Sequence, residues 1–177
     1  MGKRSDFERE KLDFYPTPYA ALKPLLRHID RATRFVEPCA GDGRLIDLLT
    51  AEGHECVGAF DISPRRDDIR QHDASFMSLD DVKDATCIIT NPPWDRPVLH
   101  QIIERCLLLQ MPAWLLFDAD WMHTRQAAPY LPHCRRIVSV GRVKWIEASD
   151  MAGKDNCCWY MFDGRITGFP HFYGRPL

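Results

Sequence analysis

Short apolar runs typical of buried β-strands alternate with segments of helical period through most of this chain. The predicted strands are residues 34–37, 54–61, a short run ending near 73, and then 85–90, 113–118, 136–146 and 156–162. Helical spacing is clearest at residues 44–50 and 98–109. Because parallel strands need crossover connections, this alternation predicts helices on both faces of a mainly parallel sheet. We therefore expect a Rossmann-like three-layer αβα sandwich with a mostly parallel seven-stranded sheet and a C-terminal antiparallel hairpin strand.

The 177 residues contain no repeat, low-complexity tract or flexible linker, which predicts a single domain. Its expected parts are an N-terminal segment and helix at 1–33, a core at 34–162 and a tail at 163–177. The sequence has neither a signal-peptide core nor an apolar run long enough to cross a bilayer, so we expect a cytoplasmic protein without membrane contact. Seven cysteines without Cys-x-x-Cys spacing favour reduced core thiols and no metal site.

Charge is distributed unevenly along the chain, although the formal net charge is only −2. Residues 1–34 carry 8 basic and 5 acidic side chains, residues 35–131 carry 8 and 16, and residues 132–177 carry 7 and 4. Basic ends favour contact with phosphates, and an acidic centre favours a cationic ligand. Acidic residues that only cap helices and solvate the surface would produce the same pattern, so both interpretations stay open.

An acidic residue and two glycines follow the first predicted strand. The connection to the next helix reads Glu37-Pro38-Cys39-Ala40-Gly41-Asp42-Gly43. Glycines allow a tight turn and a close approach to a ligand, and a helix N-terminus presents free N–H groups. A dinucleotide fingerprint would need a glycine where Ile46 stands, so Glu37 favours a cofactor that carries positive charge. An ordinary strand-to-helix turn with a capping acid and other nucleotide sites are the alternatives.

Two further acidic residues follow the next two predicted strands. Asp61, at the end of the second, is placed to accept hydrogen bonds from ribose hydroxyls. Asp73, after the third, is placed to accept one from the exocyclic amine of adenine. In an open α/β sheet, ligands bind outside the carboxyl ends of the strands, so these acids and the glycine turn are expected to meet there.

Together these residues resemble the acid-x-x-x-Gly-x-Gly loop and second-strand acid of the class I S-adenosylmethionine-dependent methyltransferases. The resemblance implies S-adenosylmethionine as the cofactor. It also implies a set of cofactor-binding residues, namely Glu37, Cys39, Ala40, Gly41, Gly43, Asp61, Ile62, Asp73, Ala74 and Asn91. The dipeptide Pro38-Cys39 matches the Pro-Cys motif that contains the nucleophile of cytosine-C5 methyltransferases. It stands in the glycine loop, however, so Cys39 is expected to line the site and not to act as a nucleophile.

The fourth predicted strand stops at Asn91-Pro92-Pro93-Trp94. This motif resembles the Asn/Asp/Ser-Pro-Pro-aromatic signature of methyltransferases that modify planar amino or amide nitrogens. The side-chain oxygen of Asn91 and the carbonyl of Pro92 would accept hydrogen bonds from the target amine, and Pro93 would stiffen the turn. Trp94 would stack on a base taken out of its helix. All four are predicted to be catalytic. The alternative is that the two prolines only end the strand and the tryptophan only packs against the protein.

A proline-rich segment, Asp13-Phe14-Tyr15-Pro16-Thr17-Pro18, precedes a predicted helix that starts near Tyr19. It resembles the segment ahead of the glycine loop in many DNA adenine methyltransferases, notably small phage-type ones, where it wraps over the methionine end of the cofactor. The resemblance implies that Tyr15, Thr17 and Pro18 contact the cofactor. A bare proline-rich turn is the alternative.

The resemblance spans residues 13–162 and favours N6 methylation of adenine in DNA, with nucleic acid as the partner. RNA adenine, a protein glutamine amide, or a non-catalytic module that keeps the fold are the alternatives. No insert is long enough for a target-recognition domain, so any preferred sequence should be short or lax. The candidates for substrate contact are 119–124 with Trp121 and His123, 147–156 with Lys154, the tail 164–177, and the cations Arg135, Arg142, Lys144 and Arg165.

Overall fold

The computed structural model describes residues 14–145, 153 and 155–175. Within them, eight strands form one mixed sheet. The strands are β1 Arg34–Glu37, β2 Glu55–Asp61, β3 Arg70–Gln71, β4 Cys87–Thr90, β5 Ala113–Asp118, β6 Cys134–Arg142, β7 Asn156–Phe162 and β8 His171–Tyr173. Their order across the sheet is β3-β2-β1-β4-β5-β7-β6-β8. The predicted strand count of seven was wrong because β8 adds an eighth at the edge.

Two apolar cores lie on the two faces of the sheet. Neighbouring residues of one strand contribute to different cores, as Ile88 and Ile89 of β4 do, because successive side chains of a strand point to opposite faces. The central strands β1, β4 and β5 are buried along nearly their whole length. Such burial explains their continuous apolar sequences, which are typical of a parallel sheet covered on both sides.

Within the described residues, four α-helices cover these faces: α1 Tyr19–Leu22, α2 Arg44–Ala51, α3 Leu79–Val82 and α4 Arg96–Leu108. Apolar residues of α1 and α2 pack into one core, and those of α3 and α4 pack into the other. Helix α4 begins two residues before its predicted start, because Pro97 in its first turn is compatible with a helix there. Among the described helices, none combines the length and apolar character needed to cross a membrane.

Strand β7 is antiparallel to both of its neighbours, whereas the other neighbouring strands pair in parallel. The C-terminal ends of β1, β2, β3, β4, β5, β6 and β8 therefore share one edge of the sheet, which we call the carboxyl edge. The end of β7 lies at the opposite, amino edge. Strand β6 covers most of predicted strand 136–146 but starts at Cys134 and ends at Arg142; Ile146 is outside the described residues.

All seven cysteines are free thiols in the structure. Five of them are buried, and burial raises the pKa of Cys106, for example, to about 12. Adjacent Cys157 and Cys158 pack into different cores, as residues on opposite faces of a strand must. No group of three or more His, Cys, Asp or Glu side chains that could hold a metal ion occurs within the described parts of the chain.

Candidate active site

A cavity of about 500 Å³ opens at the carboxyl edge of the sheet. This volume lies within the range of small-molecule sites, about 300–1,000 Å³. Most of the predicted site residues line it: Tyr15, Thr17, Glu37, Cys39, Ala40, Gly41, Asp61, Ile62, Asp73, Ala74, Asn91 and Pro93. The structure thus brings the ends of β1, β2 and β4 and the proline-rich segment to one cavity. Pro18, Gly43, Pro92 and Trp94 are not among its lining residues.

Glu37 ends β1 and is the most buried acid in the cavity wall, with a residue exposure of 2%. Its Oε2 atom has no hydrogen-bond partner within the described structure. Burial, followed by the nearby charges of Asp61 and Asp42, raises the pKa of Glu37 well above its usual value. A buried carboxylate oxygen without a hydrogen-bond partner is unfavourable, so this position is suited to a ligand that brings a positive charge or a hydrogen-bond donor.

Asp61 fastens the glycine loop to the end of β2. Its Oδ2 accepts a hydrogen bond from the Gly41 N–H at 2.8 Å, and its Oδ1 accepts one from the Ser63 N–H at 2.7 Å. The Arg65 N–H donates in turn to the Gly41 carbonyl at 2.9 Å. Each carboxylate oxygen can accept a second hydrogen bond. The loop is therefore held in place while Asp61 keeps acceptor capacity for a ligand.

The two loop glycines accommodate neighbouring side chains of the protein. Gly41 has a φ of +53°, and a Cβ built on it would lie 2.6 Å from the Phe14 ring. Gly43 has a φ of +79°, and its Cβ would collide with the guanidinium of Arg66. Both backbone conformations favour glycine. Gly43, directly before α2, thus lies against the Arg66 side chain, whereas Gly41 faces the cavity and the proline-rich segment.

The proline-rich segment lies across both sequence motifs. The Phe14 ring packs between Gly41 and the guanidinium of Arg65, whose central carbon is 3.4 Å from the ring centroid. The Tyr15 carbonyl accepts a hydrogen bond from Asn91 Nδ2 at 3.3 Å. Thr17 is buried in the cavity wall. This short segment therefore contacts the glycine loop through Phe14 and Asn91 through Tyr15. Asp13 lies outside the described residues.

Asn91 is held from two sides immediately after β4. Its Nδ2 donates to Tyr15, and its Oδ1 accepts from the indole N–H of Trp94 at 3.4 Å. That N–H also donates to the carbonyl of Leu116 on β5 at 3.2 Å. A carbonyl can only accept and an indole N–H can only donate, so these partners define which amide atom is oxygen.

Trp94 packs beside the cavity with another tryptophan. Its ring contacts the Trp145 ring edge to face, with centroids 5.6 Å apart and an interplanar angle of 89°. The predicted stacking of Trp94 on a substrate base is not tested by this arrangement and stays a prediction. Sequence reasoning missed Trp145. It follows β6, and because β6 runs parallel to β4, its end had to lie at the same edge as Asn91.

Asp73 lies at another part of the cavity wall, after β3. Its Oδ1 accepts hydrogen bonds from the Ser75 N–H at 2.8 Å and the Ser75 hydroxyl at 2.7 Å. It therefore caps the short 3₁₀ helix Ala74–Phe76. Val98, Gln101 and Ile102 of α4 also line the cavity, although no motif identifies them. Only the packing of α4 beside the ends of the strands brings them to the site.

One predicted substrate-contact residue is part of the core. Trp121 is fully buried, with 0% exposure, and its indole N–H donates to His100 Nε2 at 3.0 Å. It packs edge to face against Phe117 at a centroid distance of 5.1 Å. The prediction that Trp121 contacts substrate was therefore wrong: its segment folds back onto the aromatic core after β5. His123 is exposed.

The remaining predicted contacts are divided between the two edges of the sheet. Arg165 forms an ion pair of 2.7 Å with Asp163 after the end of β7, at the amino edge. Arg135 lies near the start of β6, which is also at that edge. Arg142 ends β6 at the carboxyl edge, and Lys144 follows it. Residues 147–152 and Lys154, from the proposed loop, are outside the described residues.

Comparison with known proteins gives structural likenesses only. No family model and no curated protein sequence matches the chain. A candidate RNA methyltransferase from Pyrococcus horikoshii superposes with a TM-score of 0.63 at 13% identity, covering 91% of this chain and 92% of that one. The 23S rRNA methyltransferase ErmE gives a TM-score of 0.56 at 14% identity, covering 85% and 69%.

A third similar structure is a modification subunit assigned to a type I restriction enzyme from Vibrio vulnificus. Its TM-score is 0.52 at 12% identity, and the match covers 93% of this chain and 47% of that one. At such low identities, these likenesses show the fold alone. The chain therefore shares a Rossmann-like fold with these structures.

Proposed function

We propose that this protein transfers a methyl group from S-adenosylmethionine to the exocyclic N6 amino group of adenine in DNA. The observation that carries the proposal is the presence of Asn91 and of Glu37, with its unpartnered Oε2, in the wall of one cavity. The first supplies an acceptor for a planar amine. The second supplies a counter-charge for a cationic cofactor.

The residues around the cavity fit S-adenosylmethionine in charge and hydrogen-bonding capacity. Glu37 would face the positively charged methionine portion, and Asp61 would accept hydrogen bonds from the ribose. Asp73 would accept one from the adenine amine, with Ile62 and Ala74 as apolar walls of the purine site. When bound, the cofactor would supply an electrophilic methyl group. The lone pair of the target nitrogen would form the new nitrogen–carbon bond as the carbon–sulfur bond breaks, and the methylated nitrogen would then lose one of its protons to solvent.

Asn91 makes the target nitrogen reactive by accepting a hydrogen bond from it. The lone pair of an adenine amine is delocalised into the ring, so the nitrogen is a weak nucleophile. Hydrogen bonds to Asn91 Oδ1 and to the Pro92 carbonyl would favour a tetrahedral nitrogen whose lone pair is localised. Because Trp94 and Tyr15 already hold the amide, little reorganisation is needed when substrate arrives.

The polymer that carries the adenine is proposed from the resemblance and from charge. The proline-rich segment resembles that of DNA adenine methyltransferases, and both ends of the chain are basic. The names of the similar structures include RNA methyltransferases as well as a restriction-modification subunit. RNA adenine is therefore the second candidate. The short loops at the carboxyl edge favour a lax target sequence in either polymer.

The test is a methylation assay with isotope-labelled S-adenosylmethionine and DNA, RNA or protein as acceptor, followed by mass spectrometry of the digested product. We expect labelled N6-methyladenine in DNA. The Asn91→Ala variant should bind the cofactor in calorimetry but transfer no methyl group. Label found only in RNA or in glutamine would overturn the DNA assignment, and absence of cofactor binding by the wild-type protein would overturn the enzyme itself.

A further inference from the structure

Three exposed cations lie at or just beyond the carboxyl ends of the neighbouring strands β6 and β8. Arg142 ends that strand, Lys144 follows it by two residues, and Arg175 follows β8. None of the three forms an ion pair with another residue that the structure describes. Asp155, which precedes β7, forms no ion pair with any of these three cations. Arg34, Arg66, Arg70, Arg96 and Arg165 do have carboxylate partners.

Strand β8 is what brings Arg175 to this place. It runs parallel to β6, with Arg136 opposite His171 and Val138 opposite Tyr173, so the chain after it reaches the carboxyl edge. Gly141 has a φ of +85°, and a Cβ built on it would lie 2.9 Å from Arg175 Nη1 and 3.1 Å from its Cδ. The Arg175 side chain therefore lies against the backbone of Gly141, directly before Arg142.

The cations adjoin the Asn91 loop through the paired tryptophans. Lys144 precedes Trp145, whose ring contacts Trp94 at 5.6 Å. Trp94 donates its indole N–H to Asn91. A single path of neighbouring residues therefore leads from exposed positive charge, past two aromatic rings, to the amide in the cavity wall. Cations beside aromatic rings are the combination that single nucleic-acid strands require, since phosphates and base faces alternate along them.

The other C-terminal cations face away from this path. Arg165 is bound to Asp163 at the amino edge, where β7 ends. Arg136, near the start of β6, donates to the His28 carbonyl at 3.1 Å. The antiparallel direction of β7 thus divides the basic C-terminal region. Among its residues that the structure describes, Arg142, Lys144 and Arg175 are the cations on the side of the cavity.

We infer that Arg142, Lys144 and Arg175 form a phosphate-binding surface that holds the backbone of a nucleic-acid strand while its base enters beside Trp145. The inference rests on the proposed function for the identity of the partner. Binding to this surface does not depend on the nucleotide sequence, because the surface contacts phosphates and not base edges. The surface gives this fold affinity for nucleic acid.

The experiment measures binding of fluorescein-labelled single-stranded DNA, duplex DNA and RNA oligonucleotides by anisotropy, at several salt concentrations and without cofactor. The test variant is Arg142→Glu/Lys144→Glu/Arg175→Glu. The control is Arg31→Glu, an exposed arginine that precedes β1 at the amino edge. We expect the triple variant to raise Kd at least about 10-fold and to lower the slope of log Kd against log salt by about 2–3. The control should bind like the wild type.

Calorimetry with S-adenosylmethionine tests whether the triple variant is folded and separates this inference from the proposed function. Unchanged cofactor affinity with weakened oligonucleotide binding supports the surface, and the oligonucleotide that loses most affinity identifies the preferred polymer. If the wild-type protein methylates DNA but the triple variant keeps the wild-type salt slope, the surface is overturned and the function is left intact. Weakened binding in a protein that never yields N6-methyladenine would leave the surface intact and overturn the function. A wild-type protein that binds no oligonucleotide would overturn the inference outright.

Discussion

The indole N–H of Trp94 lies 3.4 Å from Asn91 Oδ1 and 3.2 Å from the Leu116 carbonyl oxygen. One donor thus joins the loop after β4 to the end of the neighbouring strand β5. An amide oxygen has two lone pairs, so Asn91 can accept from Trp94 and from a substrate amine at once. In this arrangement Trp94 is a positioning residue for the proposed catalytic amide, whether or not its ring also stacks on a base.

Trp94→Phe should therefore slow methyl transfer more than it weakens binding. The substitution keeps an aromatic ring but removes the donor that orients Asn91. Loss of a hydrogen bond worth about 1–1.5 kcal/mol corresponds to a roughly 10-fold lower kcat. Steady-state kinetics should show this fall with little change in KM for the cofactor. Trp145→Phe, which keeps a ring against Trp94, is the control and should retain kcat; equal losses in both variants would contradict the positioning role.

Gly41→Ala should weaken cofactor binding, because its Cβ would lie 2.6 Å from the Phe14 ring and displace the proline-rich segment. Gly53→Ala is a matched control, since Gly53 also has a positive φ, +89°, but no atom within 4 Å of the added Cβ. Both variants should lose about 1 kcal/mol of unfolding free energy from backbone strain. Calorimetry should show at least about a 10-fold higher Kd only for Gly41→Ala. The same Kd for both variants would exclude a binding role of Phe14.

Glu37→Gln should make stability less dependent on pH. The raised pKa means that the unfolded chain ionises Glu37 first, above about pH 4.3. The cofactor-free wild type therefore loses stability as pH rises from there through the folded-state pKa, whereas the variant does not. Thermal unfolding between pH 4 and 9 should show the variant gaining in Tm relative to wild type as pH rises. A constant difference in Tm would argue against a buried ionisable Glu37.

The same variant should bind S-adenosylmethionine more weakly. A cationic ligand favours the ionised carboxylate, so binding to the wild type should release a proton at pH values below the raised pKa of Glu37. Calorimetry in two buffers of different ionisation enthalpy measures that proton, and Glu37→Gln should abolish its release. Glu55→Gln changes an exposed carboxylate and is the control. Proton release that persists in Glu37→Gln would assign it to another group.

Asp61→Asn should loosen the glycine loop as well as the proposed ribose site. The amide has only one acceptor oxygen, so either the Gly41 or the Ser63 N–H would face an NH₂ group. We expect a loss of about 1–3 kcal/mol in unfolding free energy from denaturant titration, together with weaker cofactor binding. Asp80→Asn, at a largely exposed carboxylate, should change neither quantity measurably. Wild-type stability in Asp61→Asn would mean that the loop does not depend on these bonds.

The parts of the fold that sequence patterns predicted well are those that both cores bury. Predicted strands 34–37, 113–118 and 156–162 coincide with β1, β5 and β7, because continuous burial leaves continuous apolar runs. Strand β8 could not be found in this way. Its three residues are all exposed, and its pairing with β6 depends on a partner far away in the sequence.

The candidate site shows the same division. Glu37 and Asp61 end predicted strands, and Gly41 and Asn91 lie in the loops that follow such strands, so the topology alone brings them to one cavity. The prediction for Trp121 failed because position after a strand does not tell whether a side chain turns outward or back into the core. The cavity residues of α4 carry no local signal, since only tertiary packing places a helix face beside a ligand.

The direction of β7 also determines how the sheet can assemble. Strand β6 pairs with β7 and β8 but not with β5, so it reaches the rest of the sheet only through β7. Local hairpins close faster than distant strands pair, and we expect β6 and β7 to form a unit that docks late onto β5. Trp145 meets Trp94 only after that docking. A partly folded chain would thus already contain the glycine loop and its acids while the Trp145 ring that packs against Trp94 was still missing, which would make transfer activity the last property to return on refolding.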